Sequence, residues 1–194
     1  MDRSEFAKKY QAALMAATVI NLTGDINCKQ MDDYIAQRTK ILSSDKKESP
    51  IVITLTSVGG DIEWAWALVD DIQRLSEFRE VLLLGRGKVS SAAVLILLAL
   101  PLERRFLAER STVYVHRRKT SFGDRLIGHD DAHEYAMKEH AATVANGRRI
   151  DEEWIHFMGQ QTSIKAEGIR QLMEEPRFIV GNELVEMGFV SAIV

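Results

Sequence analysis

Short runs of β-branched and leucine residues alternate along this chain with longer stretches of helical periodicity. That alternation limits the fold more than any single motif. The runs "TVINLTG" (Thr18–Gly24), "IVITLTS" (Ile51–Ser57), "EVLLLG" (Glu80–Gly85) and "STVYVH" (Ser111–His116) read as strands, and "FVSAIV" closes the chain as a short one. Between them, "CKQMDDYIAQRTKIL" (Cys28–Leu42) and "DIEWAWALVDDIQRL" (Asp61–Leu75) read as helices, the second with Ile62, Ala65, Val69 and Ile72 along one face. The apolar run that follows Ser91 is a buried helix. Further helices are expected over about Asp130 to Ala145, Asp151 to Met158 and Ser163 to Glu174. Strand following helix following strand specifies an α/β fold with a mostly parallel sheet. With 194 residues the chain makes one domain with a core of its own. The first 17 residues form a separate helical segment, with Phe6, Tyr10, Ala13 and Leu14 at helical spacing.

In a parallel sheet, chemistry gathers just beyond the carboxyl ends of the strands. Three suggestive stretches fall there: "SVGGD" after the second strand, "GKVSSAA" from Gly87 to Ala93, and His116. A serine nucleophile needs a base for its proton and N–H donors for the oxyanion. Ser91 stands where a strand gives way to a helix whose first N–H groups are unpaired. Gly59 and Gly60 supply a second flexible backbone, Ala92 leaves room for a substrate, and His116 is placed to act as base. Each feature also has a plainer explanation. A Gly-Gly pair is usually a turn, Ser90 is placed to cap the helix, and a strand-terminal histidine is often structural.

Charge and composition narrow the partners. A formal net charge of -3 offers no general attraction to nucleic acid or to an anionic membrane. The longest apolar run, Ala92 to Leu102, is far shorter than the about 20 residues of a membrane span. The N-terminus lacks the apolar core of a signal peptide, so a cytoplasmic protein is expected. One cysteine, Cys28, excludes an internal disulfide and reads as a buried or half-buried thiol. His129 and His133 share a helical spacing with metal ligands, but the neighbouring glutamate is not placed as in a zinc-protease helix. An exposed or interfacial helix is the better reading, and neither metal nor cofactor is expected. Trp64 and Trp66 read as packing or subunit contacts.

The order of these motifs resembles the proteolytic subunit of the Clp protease, within the Clp/crotonase-like fold. "INLTGDI" (Ile20–Ile26), "TLTSVGGDIEWAWALVDDI" (Thr54–Ile72), "GKVSSAA", "RRFLAERSTVYVH" (Arg104–His116) and "FIVGNELVEMGFVSAIV" (Phe178–Val194) each resemble a segment of that family, in the family's order. Glu183 and Gly188 stand in place, and the 25 residues from Ser91 to His116 match the family's interval. The resemblance covers roughly residues 18–194, with a handle region over about 117–160. It implies superhelical ββα units and a serine endopeptidase acting on peptides or unfolded proteins inside a homo-oligomer of stacked rings. An AAA+ unfoldase is the implied partner. It further implies Ser91 as nucleophile, His116 as base, Gly59, Gly60 and Ala92 around the oxyanion and substrate, and an extended substrate along the edge near Val58–Gly60.

The pattern is broken in places. The family's third triad member is an aspartate, and counting back from Phe178 that position holds Pro176. Counting forward from Ser163 brings Glu174 there instead, so Glu174, Glu175 beside it or a backbone carbonyl is the candidate that orients His116. Val58 replaces a proline, "RRK" follows His116, and the segment between His116 and Phe178 is longer than the family's. Two alternatives therefore stand: an inactive or partner-dependent relative, and a crotonase-like enzyme acting on an acyl-CoA thioester.

Overall fold

A computed structural model describes residues 1–46, 48–117 and 132–194, with side chains in the last segment from residue 137 onward. It contains helices α1 (Arg3–Ala16), α2 (Cys28–Leu42), α3 (Ile62–Phe78), α4 (Ala93–Leu97), α5 (Ala132–Gln161), α6 (Ala166–Glu174) and α7 (Asn182–Glu186). The strands are β1 (Val19–Thr23), β2 (Ile51–Ser57), β3 (Val81–Ser90), β4 (Arg105–Leu107), β5 (Thr112–Tyr114), β6 (Phe178–Val180) and β7 (Ala192–Ile193). They pair in the order β1-β2-β3-β4-β7, with β5 branching from β3 and carrying β6. Every pairing among these strands is parallel except β5–β6.

Burial on both faces explains why the central strands are apolar throughout. Ile51, Ile53, Leu55, Val81 and Leu83 point into the main core. Val52, Leu82, Leu84 and Phe106 point the other way, into a smaller core closed by Phe6 and Ala13 of α1. Alternate residues of one strand thus serve different cores, as the two-residue period of a strand dictates. Asp2 caps α1 by accepting from the Glu5 amide at 2.8 Å. Phe6 stacks on Phe106 with ring centroids 4.1 Å apart.

Strand β3 is longer than the sequence suggests, and the excess shapes the site. It runs parallel to β2 from Val81 to Gly85, then gains two residues against it before Val89 pairs with Ser57. Gly87 sits in this bulge at φ +62°, donating its N–H to Ser111 Oγ at 2.8 Å. The first part of β3 pairs with β4 and the last part, Lys88–Ser90, pairs with β5. The sequence "GRGK" looks like a strand end, whereas here it is a bend within one strand.

Other elements also differ from the expectations. The helix after Ser91 is short, and Leu98–Leu100 continue as buried irregular chain. The two helices expected around Asn146 to Ile150 are one, α5. Asn146 and Gly147 cost helix propensity, but Asn146 accepts from Arg149, Arg149 pairs with Glu153, and a buried stripe of Ile150, Trp154, Ile155 and Met158 begins there. Cys28 opens α2 and is exposed, not buried. Trp66 packs edge-on against Phe157 of α5, at 4.9 Å between centroids, and Trp64 is partly exposed. His129 lies outside the described residues, as does the side chain of His133.

Arg105 is buried at the start of β4 without a carboxylate partner among the described residues. Its Nη2 donates to the Gln161 carbonyl at 2.7 Å, at the last turn of α5. Burial pushes the guanidinium down to about 10, which leaves it a cation at neutral pH. It rests on the negative end of the α5 dipole.

The smaller core sets a test. Phe6→Ala is expected to destabilise the chain by about 3 kcal/mol in urea unfolding, the usual cost of emptying an aromatic core position. Leu14 shares the helical spacing but is 54% exposed, so Leu14→Ala is expected to stay within about 0.5 kcal/mol. Equal costs would place α1 differently on the sheet.

Candidate active site

β3 ends at Ser90 and α4 begins at Ala93, so Ser91 and Ala92 make the turn between them. Ser91 holds φ 56°, in the left-handed region where an L-residue other than glycine is strained by about 1–3 kcal/mol. Its N–H donates to the Tyr114 carbonyl at 2.9 Å. A strained strand-to-helix turn is the geometry that lifts a serine hydroxyl out of a sheet. Ser90 is buried, and its Oγ has no hydrogen-bond partner among the described residues. It is not the helix cap that its position suggested: Ala92 occupies that place, with no side-chain bond.

The Gly59–Gly60 turn lies directly against this serine. A Cβ on Gly59, which holds φ +105°, would stand 2.6 Å from Ser91 Cβ and 3.1 Å from its Oγ. Two bonds clamp the turn to the loop after β1: Ile26 N–H donates to Gly59 O at 2.9 Å, and Asp61 N–H donates to Ile26 O at 2.9 Å. The amide between them, on Gly60, donates to no acceptor among the described residues, and neither does that of Ala92. Two free N–H groups therefore flank Ser91, as an oxyanion site requires.

His116 follows β5. Because Ser90 is in register with Tyr114, Ser91 falls level with Val115, and His116 is one residue beyond. Its Nδ1 donates to the Arg117 carbonyl at 2.5 Å. A carbonyl only accepts, so Nδ1 carries the proton and Nε2 keeps its lone pair. Arg117 is itself anchored, its N–H donating to Met173 O at 3.2 Å and its Nη2 to Glu174 Oε1 at 2.5 Å.

The structure thus brings most of the sequence-derived candidates together. Gly60, Ser91, Ala92 and His116 line one cavity of about 340 Å³, and Gly59 abuts Ser91 from behind. Glu174 is not among the lining residues; its carboxylate is engaged by Arg117 at the end of α6. Glu175 closes α6, its N–H donating to Gln171 O at 2.8 Å. Asp61, Ile62, Glu63 and Trp154 complete the cavity, and the sequence motifs singled out none of these as site residues. The first three follow directly on the Gly-Gly turn, a signal available in the sequence. Trp154 comes from a distant helix and carried none. Among the described residues no cluster of His, Cys, Asp and Glu is arranged to hold a metal.

Comparison with known proteins gives a consistent result. The family model of the Clp protease matches residues 2–194. The ATP-dependent Clp protease proteolytic subunit 2 of Treponema denticola is 36% identical over 98 residues, 50% of this chain and 48% of that protein. The same-named subunit of Treponema pallidum is 25% identical over 175 residues, covering 90% of this chain and 81% of that one. Subunit 1 of Chlamydia trachomatis is 26% identical over 145 residues, 75% of this chain and 70% of that protein. Among solved structures, a point mutant of ClpP1 from Listeria monocytogenes aligns with a TM-score of 0.69 at 23% identity over 95% of each chain. That likeness places the chain in the Clp/crotonase-like fold.

The Arg117–Glu174 contact sets a test of the carboxylate's role. Glu174→Gln is expected to slow labelling of Ser91 by a fluorophosphonate less than tenfold. A loss near ~10⁴, the scale for disabling the orienting carboxylate of a triad, would mean that Glu174 acts on His116 directly.

Proposed function

Because the chain belongs to the Clp protease family, we propose that it is a serine endopeptidase in which Ser91 and His116 form and hydrolyse an acyl-enzyme. The observation that carries this reading is the strained Ser91 turn, sharing one cavity with His116 and with the free N–H groups of Gly60 and Ala92. His116 Nε2 takes the Ser91 proton as Oγ attacks the scissile carbonyl. The oxyanion rests on Gly60 N–H and Ala92 N–H, and the imidazolium then protonates the leaving amine. Water repeats the sequence on the ester and frees Ser91. The peptide lies extended along the edge at Val58–Gly60, where Val58 is exposed.

The carbonyl of Arg117 orients His116 in this scheme, with Glu174 holding Arg117 in place. An inactive or partner-dependent subunit is the second reading, supported by the missing aspartate, since the family's position holds Pro176 counted back from Phe178 or Glu174 counted forward from Ser163. The acyl-CoA reading has no such support, since the family matched is the Clp protease.

The subunit works within a homo-oligomer of stacked rings, whose chamber confines Ser91 and admits peptides or unfolded proteins. Helix α5 supports an assembled state: Met137 and the next several residues stand exposed, and packing on the body begins at Ile150. The relatives named above are ATP-dependent, which supports an ATP-driven unfoldase as partner. No helix among the described residues is long and apolar enough to cross a membrane. The proposed setting is the cytoplasm, with no metal and no cofactor.

Two measurements test this. Ser91→Ala is expected to abolish peptide hydrolysis, a loss on the order of 10⁶ in a well-studied serine protease, while Ser90→Ala largely spares it. Equal residual activities would overturn the nucleophile assignment. Light scattering is expected to report several times the 21.9 kDa of one chain. A monomer that hydrolyses peptides would overturn the chamber, and an inactive monomer would favour the partner-dependent reading.

A further inference from the structure

The cavity beside Ser91 has a charge pattern that the reaction itself does not use. Apart from His116, the ionisable residues lining it are Asp61 and Glu63, and no lysine or arginine among the described residues lines it. Asp61 is fixed by its capping role: Oδ1 accepts from the amides of Glu63 at 2.8 Å and Trp64 at 3.4 Å. This leaves Oδ2 available. The Glu63 side chain makes no ion pair among the described residues. Both carboxylates stand at the exposed opening of α3, where they face solvent and any bound side chain.

Part of the remaining wall is apolar. Ile62, Ala92 and Trp154 line it, with Ala92 and Trp154 each only 2% exposed. The Trp154 Nε1 is buried without a partner among the described residues. A volume of about 340 Å³ is at the low end for ligand sites, which run about 300–1,000 Å³, and suits one long side chain.

Resting on the peptidase reading above, we propose that this cavity selects a lysine or arginine side chain on the residue whose carbonyl Ser91 attacks. The methylene stem lies along Ile62, at the side of the cavity that Ala92 and Trp154 also line. The cationic head reaches Asp61 and Glu63 at the mouth, as long basic side chains do when they bury the stem and keep the charge near water. An acidic side chain is repelled there. A neutral apolar one gains the wall and leaves the carboxylates unneutralised. Because both carboxylates are exposed, the preference for a cation over a neutral isostere is roughly five- to tenfold, not the larger factor of a sealed ionic pocket.

Peptidyl diphenyl phosphonates test this without requiring turnover. Ser91 Oγ forms a bond to phosphorus, phenolate leaves, and the serine proton passes through His116 to the departing phenol. Two probes are compared on the full-length protein by intact mass, one with an arginine-like guanidinium side chain and one with norleucine. The guanidinium probe is expected to label roughly five- to tenfold faster. That ratio is expected to fall toward one in Glu63→Gln and in Asp61→Asn, where asparagine still caps α3. It is also expected to fall at high salt. Equal or faster labelling by norleucine, or a ratio unmoved by both substitutions, overturns the proposal. If neither phosphonate reacts while a small fluorophosphonate still labels Ser91, the cavity does not hold the side chain and the proposal alone fails. If the fluorophosphonate fails as well, the peptidase reading falls and takes the pocket's role with it.

Discussion

One hydrogen bond organises the candidate active site: the Ser91 amide donating to the Tyr114 carbonyl. It extends the β3–β5 pairing one residue past the strand while Ser91 has already turned to φ 56°. The bond ties the strained residue to a rigid sheet, so the strain is carried by the packing of the whole β3–β5 unit. It also fixes the register that leaves His116 one position beyond Ser91's level. The bond exists only because β3 bends at Gly87, leaving β4 for β5. A straight β3 would have continued beside β4 and carried Ser91 away from the histidine. Behind the turn, Gly59 closes the arrangement, since no side chain fits between it and Ser91 Cβ.

Part of this candidate site was legible in the sequence. The 25-residue interval from Ser91 to His116 was legible only as a match to the interval of the Clp family, and the β3–β5 pairing puts the two residues at neighbouring strand ends. The Gly-Gly turn was legible because glycine marks backbone that others cannot adopt. The bend in β3 was not, since "GRGK" carries the same residues as a strand end. The identity of α5 as one helix was hidden by Asn146 and Gly147, whose propensity cost is overridden by tertiary burial from Ile150 onward. Which group partners His116 could not be singled out from the sequence, where Glu174, Glu175 and a backbone carbonyl all stood open. It is a main-chain carbonyl, and a carbonyl has no residue type to recognise.

That carbonyl changes what the missing aspartate means. An orienting carboxylate does two things in a serine hydrolase: it fixes the tautomer of the imidazole, and its charge stabilises the imidazolium formed during attack. The Arg117 carbonyl performs the first, because it can only accept and so holds the proton on Nδ1. It performs the second weakly, having a dipole where the carboxylate has a full charge. Much of the large penalty for an aspartate-to-asparagine change comes from the wrong tautomer, and that part is avoided here. What remains is an electrostatic deficit. Glu174 does little to fill it, because its charge is matched by Arg117 and both side chains are more than half exposed to water. Under the proposed mechanism, proline at 176 is therefore compatible with a Ser91–His116 pair in which the base has its tautomer fixed but is less strongly supported when it becomes charged. The Arg117–Glu174 contact then acts on the chemistry through position, by holding the backbone that holds the imidazole.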